Sequence, residues 1–243
     1  IFDDISGNKS KGDTVVTTLN YDLQSVAYQS LGSYDGAVIV MEPQTGKILA
    51  MVSKPDYDPN TIAADWESVN SEGSSSLYNR ATQGQYAPGS TFKIFTALEY
   101  YREHPDNYMD YQYDCTGKIV ADNSTINCYK GEVHGTVNFE QSFAESCNTS
   151  FSNIGLQIDN DSFDALCNSM LFNTSLPIAF ESSKSKFSLS SEDSAAMTME
   201  TSIGQGKTMV SPLHMLLVTS AICNDGVLMK PYLVDHTENV DGV

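Results

Sequence analysis

The chain has 243 residues, 40% of them apolar, and a formal net charge of −18 from 31 acidic against 13 basic side chains. Such a surface repels phosphate backbones and removes the counterion-release term that drives nucleic-acid binding. No apolar run approaches the roughly eighteen residues of a membrane span, and the opening IFDDISGNKS lacks a signal-peptide pattern.

Residues 1–13, polar and rich in glycine, serine and lysine, read as a tail or linker. In TVVTTLNYDLQSVAYQSLG, Asn20 predicts an N-cap, Leu23, Val26, Ala27 and Leu31 keep helical spacing, and Gly32 is the stop. GAVIVMEPQTGKILAMVSK predicts a hairpin, with Ala37–Met41 and Ile48–Val52 apolar throughout and a turn holding Pro43 and Gly46. Strands without polar alternation are covered on both faces, so helices are expected on each side of their sheet. KPDYDPN and SEGSSS read as loops, and YNRATQGQYAPGS leads into a helix at Ser90. Helical stretches follow at about 138–158 and 162–172, with a loop at 181–191. SPLHMLLVTSAICNDG has Ser211 as cap, Pro212 at the first position, and Asn224 and Gly226 at the stop; VLMKPYLV then reads as extended. No internal repeat appears, and no boundary is visible after residue 13. The pattern is one mixed α/β (α+β) domain over 14–243.

GQYAPGSTFKIFTALEYY carries the chemistry. Ser90 and Lys93 are three residues apart, on one face of a helix. Phe92, Ile94, Phe95, Ala97 and Leu98 leave that helix no polar face, which marks it as buried on most sides. Desolvation favours the neutral amine, a workable general base for a serine nucleophile. The plain alternative is a serine cap with a lysine stem lying on apolar surface. S-x-x-K also occurs at Ser6–Lys9 and Ser183–Lys186, so burial, not the tripeptide spacing, singles out the middle copy. Downstream, Ser146-Cys147-Asn148 offers a hydroxyl and a carboxamide between two helical segments; S-x-N recurs at Ser6–Asn8 and Ser68–Asn70, and turn chemistry is its alternative.

Cysteines 115, 128, 147, 167 and 223 form no CxxC pair, and with four histidines and no HExxH a zinc site is not expected. Cys115 and Cys128 bracket CTGKIVADNSTINC and would close a disulfide loop in an oxidising compartment; free thiols are the alternative.

S-x-x-K followed by S-x-N is the ordered signature of the serine penicillin-recognising enzymes. With GAVIVMEPQTGKILAMVSKPDYDPN, YNRATQGQYAPGSTFK, HGTVNFEQSFAESCNTSF and IGQGKTMVSPLHMLLVTSAICNDGVLMKPYLV, the chain resembles the transpeptidase domain of class B penicillin-binding proteins from about residue 14 to 234. The resemblance implies an antiparallel sheet flanked by helices with a mostly helical subdomain. It implies a peptidoglycan D,D-transpeptidase: Ser90 attacks the penultimate D-alanine carbonyl of a stem peptide, Lys93 takes its proton, Ser146 relays that proton to the departing amine, and Asn148 binds the substrate backbone. The Ser90 N–H would supply half of an oxyanion hole. Stem peptides and β-lactams are the implied ligands, cell-wall glycosyltransferases the implied partners, and no cofactor is called for. His134 and the glycines of IGQG are read as structural, with Gln205 as a neighbour of the cleft. The alternatives are a D,D-carboxypeptidase, a β-lactamase-like hydrolase, or a non-catalytic scaffold.

The family's third motif, K-T-G, is absent within 1–243; Lys207-Thr208-Met209 precedes the last helix and is no substitute. The resemblance places it, with its strand, beyond Val243. A piece ending there is expected to acylate weakly, and an N-terminal anchor at the extracytoplasmic membrane face is expected outside this chain.

Overall fold

The computed structural model describes residues 12–239. Most of the predicted tail, with the decoys Ser6–Lys9 and Ser6–Asn8, lies outside the described residues. In chain order the elements are β1 (Thr14–Thr17), α1 (Tyr21–Leu31), β2 (Gly36–Met41), β3 (Ile48–Lys54), α2 (Ile62–Val69) and α3 (Lys93–Glu103). Next come β4 (Gln112–Cys115), β5 (Lys118–Ala121), β6 (Ser124–Asn127), β7 (Gly135–Asn138), α4 (Phe139–Ala144) and α5 (Asn148–Gly155). Then follow α6 (Asn160–Ser169), α7 (Ala195–Ser202), α8 (Pro212–Cys223) and β8 (Val234–Glu238). Helices and antiparallel strand pairs mix as an α/β (α+β) fold requires.

The chain forms two compact units rather than one continuous run: 12–84 with 177–182 and 212–239, and 85–176 with 183–211. In the first, β2 and β3 form the predicted hairpin, Gly36 opposite Lys54 through Val40 opposite Ala50. Ala50 and Val52 point into a core with Ala27 of α1, edged by Leu31, Val38 and Val40. α1 packs on both strands and α8 on β2. Asn20 caps α1 by accepting from the Leu23 N–H at 3.0 Å. Gly46 sits at φ +83°, where a Cβ would meet the Lys230 carbonyl oxygen at 2.3 Å. This close approach lets the Ile48 N–H donate to the Tyr232 carbonyl. The stretch predicted as extended at 227–234 is thus a single bridge, and the regular strand begins at Val234, paired with β1.

The second unit is mostly helical. Phe92 and Phe95 stack at 4.8 Å, and Phe163, Phe172 and Phe187 crowd the same cluster, all five rings essentially inaccessible. Each buried phenylalanine contributes roughly 1.5–3 kcal/mol, enough to fix α3 despite its polar Thr96 and Glu99. Thr96 donates to the Ser202 carbonyl at 2.8 Å. The helix predicted over 138–158 is two: α4 ends at Ala144 and α5 starts at Asn148. Asn138 and Gln141 close a reciprocal capping box at the start of α4. Sequence reading missed α2, which buries nothing and has no side-chain cap, and α7, capped by Ser194. It also missed β4 to β7, each only four residues long.

Candidate active site

Ser90 lies in a 3-10 turn, Gly89–Phe92, that runs directly into α3. It is therefore not the helix cap of the alternative reading; its carbonyl accepts from the Lys93 N–H, and its side chain is exposed. Two glycines make this turn possible. Gly89 (φ +55°) donates its N–H to the Gly204 carbonyl at 2.9 Å, and a Cβ on Gly204 (φ +73°) would fall 2.0 Å from the Gly89 oxygen. The packing role read for IGQG has this contact as its basis.

Lys93 follows one turn later and is 2% exposed. Its Nζ donates to the Ser146 carbonyl at 2.6 Å, the Ser146 Oγ at 3.0 Å and the Asn148 Oδ1 at 2.8 Å. The Phe151 ring closes the site 5.4 Å from the nitrogen. Burial brings the lysine down to about 8, against an opposing pull from the sulfurs of Cys147 and Cys128. Two of its three acceptors are carbonyl oxygens that can only accept. A neutral amine satisfies those two with its N–H bonds and turns its lone pair to a hydroxyl. The Lys93 amine makes no hydrogen bond to the Ser90 hydroxyl in this arrangement; the structure brings Lys93, Ser146 and Asn148 into contact and holds Ser90 one turn away on the same helical segment.

Ser146 takes φ +52°, a left-handed conformation that costs a non-glycine residue on the order of 1 kcal/mol. That reversal breaks the predicted helix and aims both the hydroxyl and the carbonyl of one residue at the amine. The turn is braced behind: the Ser146 N–H donates to Phe143, the Cys147 N–H to Ser142, and Ser142 and Ser150 share a 2.6 Å hydroxyl bond. Tyr111 adds a bond to the Ser150 carbonyl at 3.1 Å. Asn148 is held through its amide, which donates to the Asn127 carbonyl at 3.1 Å. The other motif copies go elsewhere: Lys186 is in a backbone bridge with Met209, and Asn70 ends α2.

A second cluster was not anticipated. Cys115, Cys128, His134 and Cys147 bring their ligand atoms within 4.8 Å of one another. Pairing of β4 with β7 sets Cys115 opposite Gly135, next to His134, and the Cys128 N–H bonds to Gly117 across the base of the β5–β6 pair. The Sγ–Sγ distances are 3.7 Å for Cys115–Cys128 and 3.8 Å for Cys128–Cys147, and His134 Nδ1 is 3.3 Å from Cys115. These are free thiols, not the disulfide considered from sequence. In a tetrahedral centre with metal–sulfur bonds near 2.3 Å, sulfurs stand about 3.8 Å apart, so three thiols and an imidazole in this spacing fit a zinc-type ion. The expectation of no metal site overlooked this because the ligands are far apart in sequence and only strand pairing gathers them. Thr149 donates to the Cys115 sulfur at 3.2 Å. Burial opposes a thiolate at Cys115, but hydrogen bonds from Thr149, His134 and Gly117 outweigh it and bring the group to about 6. Cys147, by contrast, is pushed up to about 12 by burial.

A mixed fold presenting a serine turn, a buried lysine and a serine–asparagine turn defines a penicillin-recognising acyltransferase domain. Residues 36–241 match the family described as penicillin binding protein transpeptidase domain, and the chain belongs to it. It is 33% identical over 255 residues to the peptidoglycan D,D-transpeptidase PbpA of Mycolicibacterium smegmatis, a match covering 98% of this chain and 52% of that protein. The chain thus spans about half the length of that relative. Among solved structures, penicillin-binding protein A from M. tuberculosis, as a ceftriaxone acyl-enzyme complex, has a TM-score of 0.88 at 30% identity, over 100% of this chain and 58% of that one. The D,D-transpeptidase domain of a peptidoglycan glycosyltransferase from Eggerthella lenta has a TM-score of 0.87 at 31% identity, over 99% and 62%.

Proposed function

We propose that the protein is a peptidoglycan D,D-transpeptidase in which Ser90 is the acylated nucleophile. The observation that carries this reading is the Lys93 amine: dry, lowered toward neutrality, and tied to Ser146 and Asn148 one turn after an exposed serine. Ser90 Oγ attacks the carbonyl of the penultimate D-alanine while Lys93 accepts its proton. Ser146, 3.0 Å from that amine, passes the proton on to the nitrogen of the departing D-alanine. The amine of a neighbouring stem peptide then takes the acyl group, releasing Ser90 and forming the cross-link. The Ser90 N–H stabilises the oxyanion in both steps. Asn148, with its side chain anchored on Asn127, hydrogen-bonds the substrate backbone at the mouth of the site. β-Lactams would stop at the acyl stage, since they leave no diffusible group to clear the site. Residues 1–13 would join a preceding domain and 14–243 would form the transpeptidase domain, held at the extracytoplasmic face by an anchor elsewhere in the protein and working beside membrane glycosyltransferases. Among the described residues no helix is long and apolar enough to cross a membrane.

Fluorescent-penicillin labelling of the full-length protein, with peptide mapping, tests the assignment. The label is expected on the Ser90 peptide and is lost in Ser90→Ala. Label that persists in that variant overturns the assignment, and rapid release of hydrolysed penicillin would point to a hydrolase.

A further inference from the structure

Cys147 is the middle residue of Ser146-Cys147-Asn148, so the residue between the two Lys93 partners is also a member of the thiol–imidazole cluster. Cys128 follows Asn127, whose carbonyl holds the Asn148 amide. The cluster therefore grips the Lys93-binding turn at two points. Its three sulfurs are an odd number and cannot all pair with one another as disulfides. Outside the cytoplasm, where the proposed function places the site, thiols tend to oxidise unless a metal occupies them. Cys128 is the pivotal member, 3.7 Å from one sulfur and 3.8 Å from the other. Closing either pair to the roughly 2.05 Å of a disulfide removes two ligands at once and draws two sulfurs together from 3.7 or 3.8 Å.

We propose that Cys115, Cys128, His134 and Cys147 take one zinc ion, and that this occupied centre is an oxidation-sensitive clamp on the Lys93-binding turn, opened by hydrogen peroxide. The Cys128 thiolate attacks peroxide, forming a sulfenic acid and releasing hydroxide. A neighbouring thiolate, Cys147 or Cys115, then attacks that sulfur and expels a second hydroxide. The two sulfurs lose two electrons, both taken by the peroxide, and one S–S bond forms. Zinc leaves unchanged as the divalent ion because only one thiolate and one imidazole remain. Loss of the Cys147 anchor then shifts Ser146 and Asn148 away from the amine, whose bonds to them of 2.6–3.0 Å tolerate little displacement.

The oxidation step stands apart from the proposed function, and the experiment separates them. The full-length protein, loaded with zinc sulfate and desalted, is analysed by elemental mass spectrometry. It is then titrated with hydrogen peroxide beside a metallochromic chelator. One zinc per chain is expected, together with its release alongside loss of two thiols, and peptide mapping is expected to place Cys128 in the new disulfide. Ser90→Ala is expected to behave identically, since the clamp needs no acyl chemistry. Acylation of the wild type by fluorescent penicillin is expected to slow about tenfold or more on oxidation and to recover with dithiothreitol plus zinc. Circular dichroism checks that the oxidised chain stays folded. Substoichiometric zinc after loading, or release without a Cys128 disulfide, overturns the clamp. Acylation unchanged after full zinc release overturns its link to the turn. Cys128→Ser and His134→Ala, each expected to lose zinc at least tenfold more readily to a chelator, provide a second readout that requires no oxidation.

Discussion

The hairpin unit and the site unit hold their shapes by different means. β2 and β3 are kept by apolar contacts repeated at every second residue, as with Ala50 and Val52 against Ala27. Any substitution that preserves volume and apolarity leaves that arrangement intact. The Lys93 turn is instead kept by a buried amine, a strained serine and a ring of hydroxyl and sulfur contacts. Each of those groups opposes folding on its own and persists because its neighbours constrain it. One region is organised for stability; the other gives up stability to pre-position reacting groups.

The largest separation between them is expected from Lys93→Ala. Acylation by fluorescent penicillin should fall by about 10²–10⁴-fold, the range of a lost general base, while the melting temperature falls by a few degrees at most, because the loss of a donor to the Ser146 and Asn148 oxygens is offset in part by removal of a desolvated amine. A melt that collapses in this variant would make Lys93 a structural residue instead. A paired substitution extends the contrast. Gly46→Ala and Gly204→Ala both force a Cβ onto a carbonyl oxygen, at 2.3 Å and 2.0 Å respectively, at positive φ. Each is expected to lower stability by about 2 kcal/mol or more. Only Gly204→Ala should also slow acylation in the fully folded protein at low temperature, because it displaces the turn that carries Ser90.

Ser146→Gly removes the hydroxyl while relieving φ +52°. Acylation is expected to drop about 10²-fold with a stability change under about 1 kcal/mol, read by denaturant titration. An unaltered rate would remove Ser146 from the proton path. The pH profile is subtler. The base form of Lys93 populates as pH rises through about 8, so kcat/KM for acylation should climb about tenfold per pH unit below that value and level off above it. A limb centred near 10.5 would mean that the amine is not desolvated.

The smallest effect concerns Glu99, buried in α3 and bonded to Arg102 at 2.7 Å. Burial raises this carboxyl to about 7 in the folded chain, despite the Arg102 charge. The folded state then keeps a proton that the unfolded state has released between about 4.5 and 7, so stability falls as pH rises through that window. Glu99→Gln should flatten this slope in melts at pH 5 and 7.5; an unchanged slope would place the titration elsewhere.

Local chemistry wrote several elements legibly. Asn20 as cap with Gly32 as stop, the apolar runs around Pro43 and Gly46, and Pro212 opening α8 all depend on neighbours within a few residues. The Ser90 and Lys93 pair was readable for the same reason, as was the burial of its helix. The break between α4 and α5 was not, because Ser146 adopts positive φ only when Lys93, distant in sequence, rewards it with two bonds. The short strands β4 to β7 also left little trace, since four-residue polar segments carry almost no periodic signal.

By itself the sequence determined the capped helices, the apolar hairpin and the two motifs, because periodicity, caps and spacing are properties of adjacent residues, and it pointed to the family through the resemblance of its longer blocks. Tertiary structure alone decided that the Lys93 amine meets Ser146 and Asn148, and that Cys115, Cys128, His134 and Cys147 meet. Convergence of side chains separated by many residues is set by strand pairing and helix packing, whose long-range register no local pattern encodes.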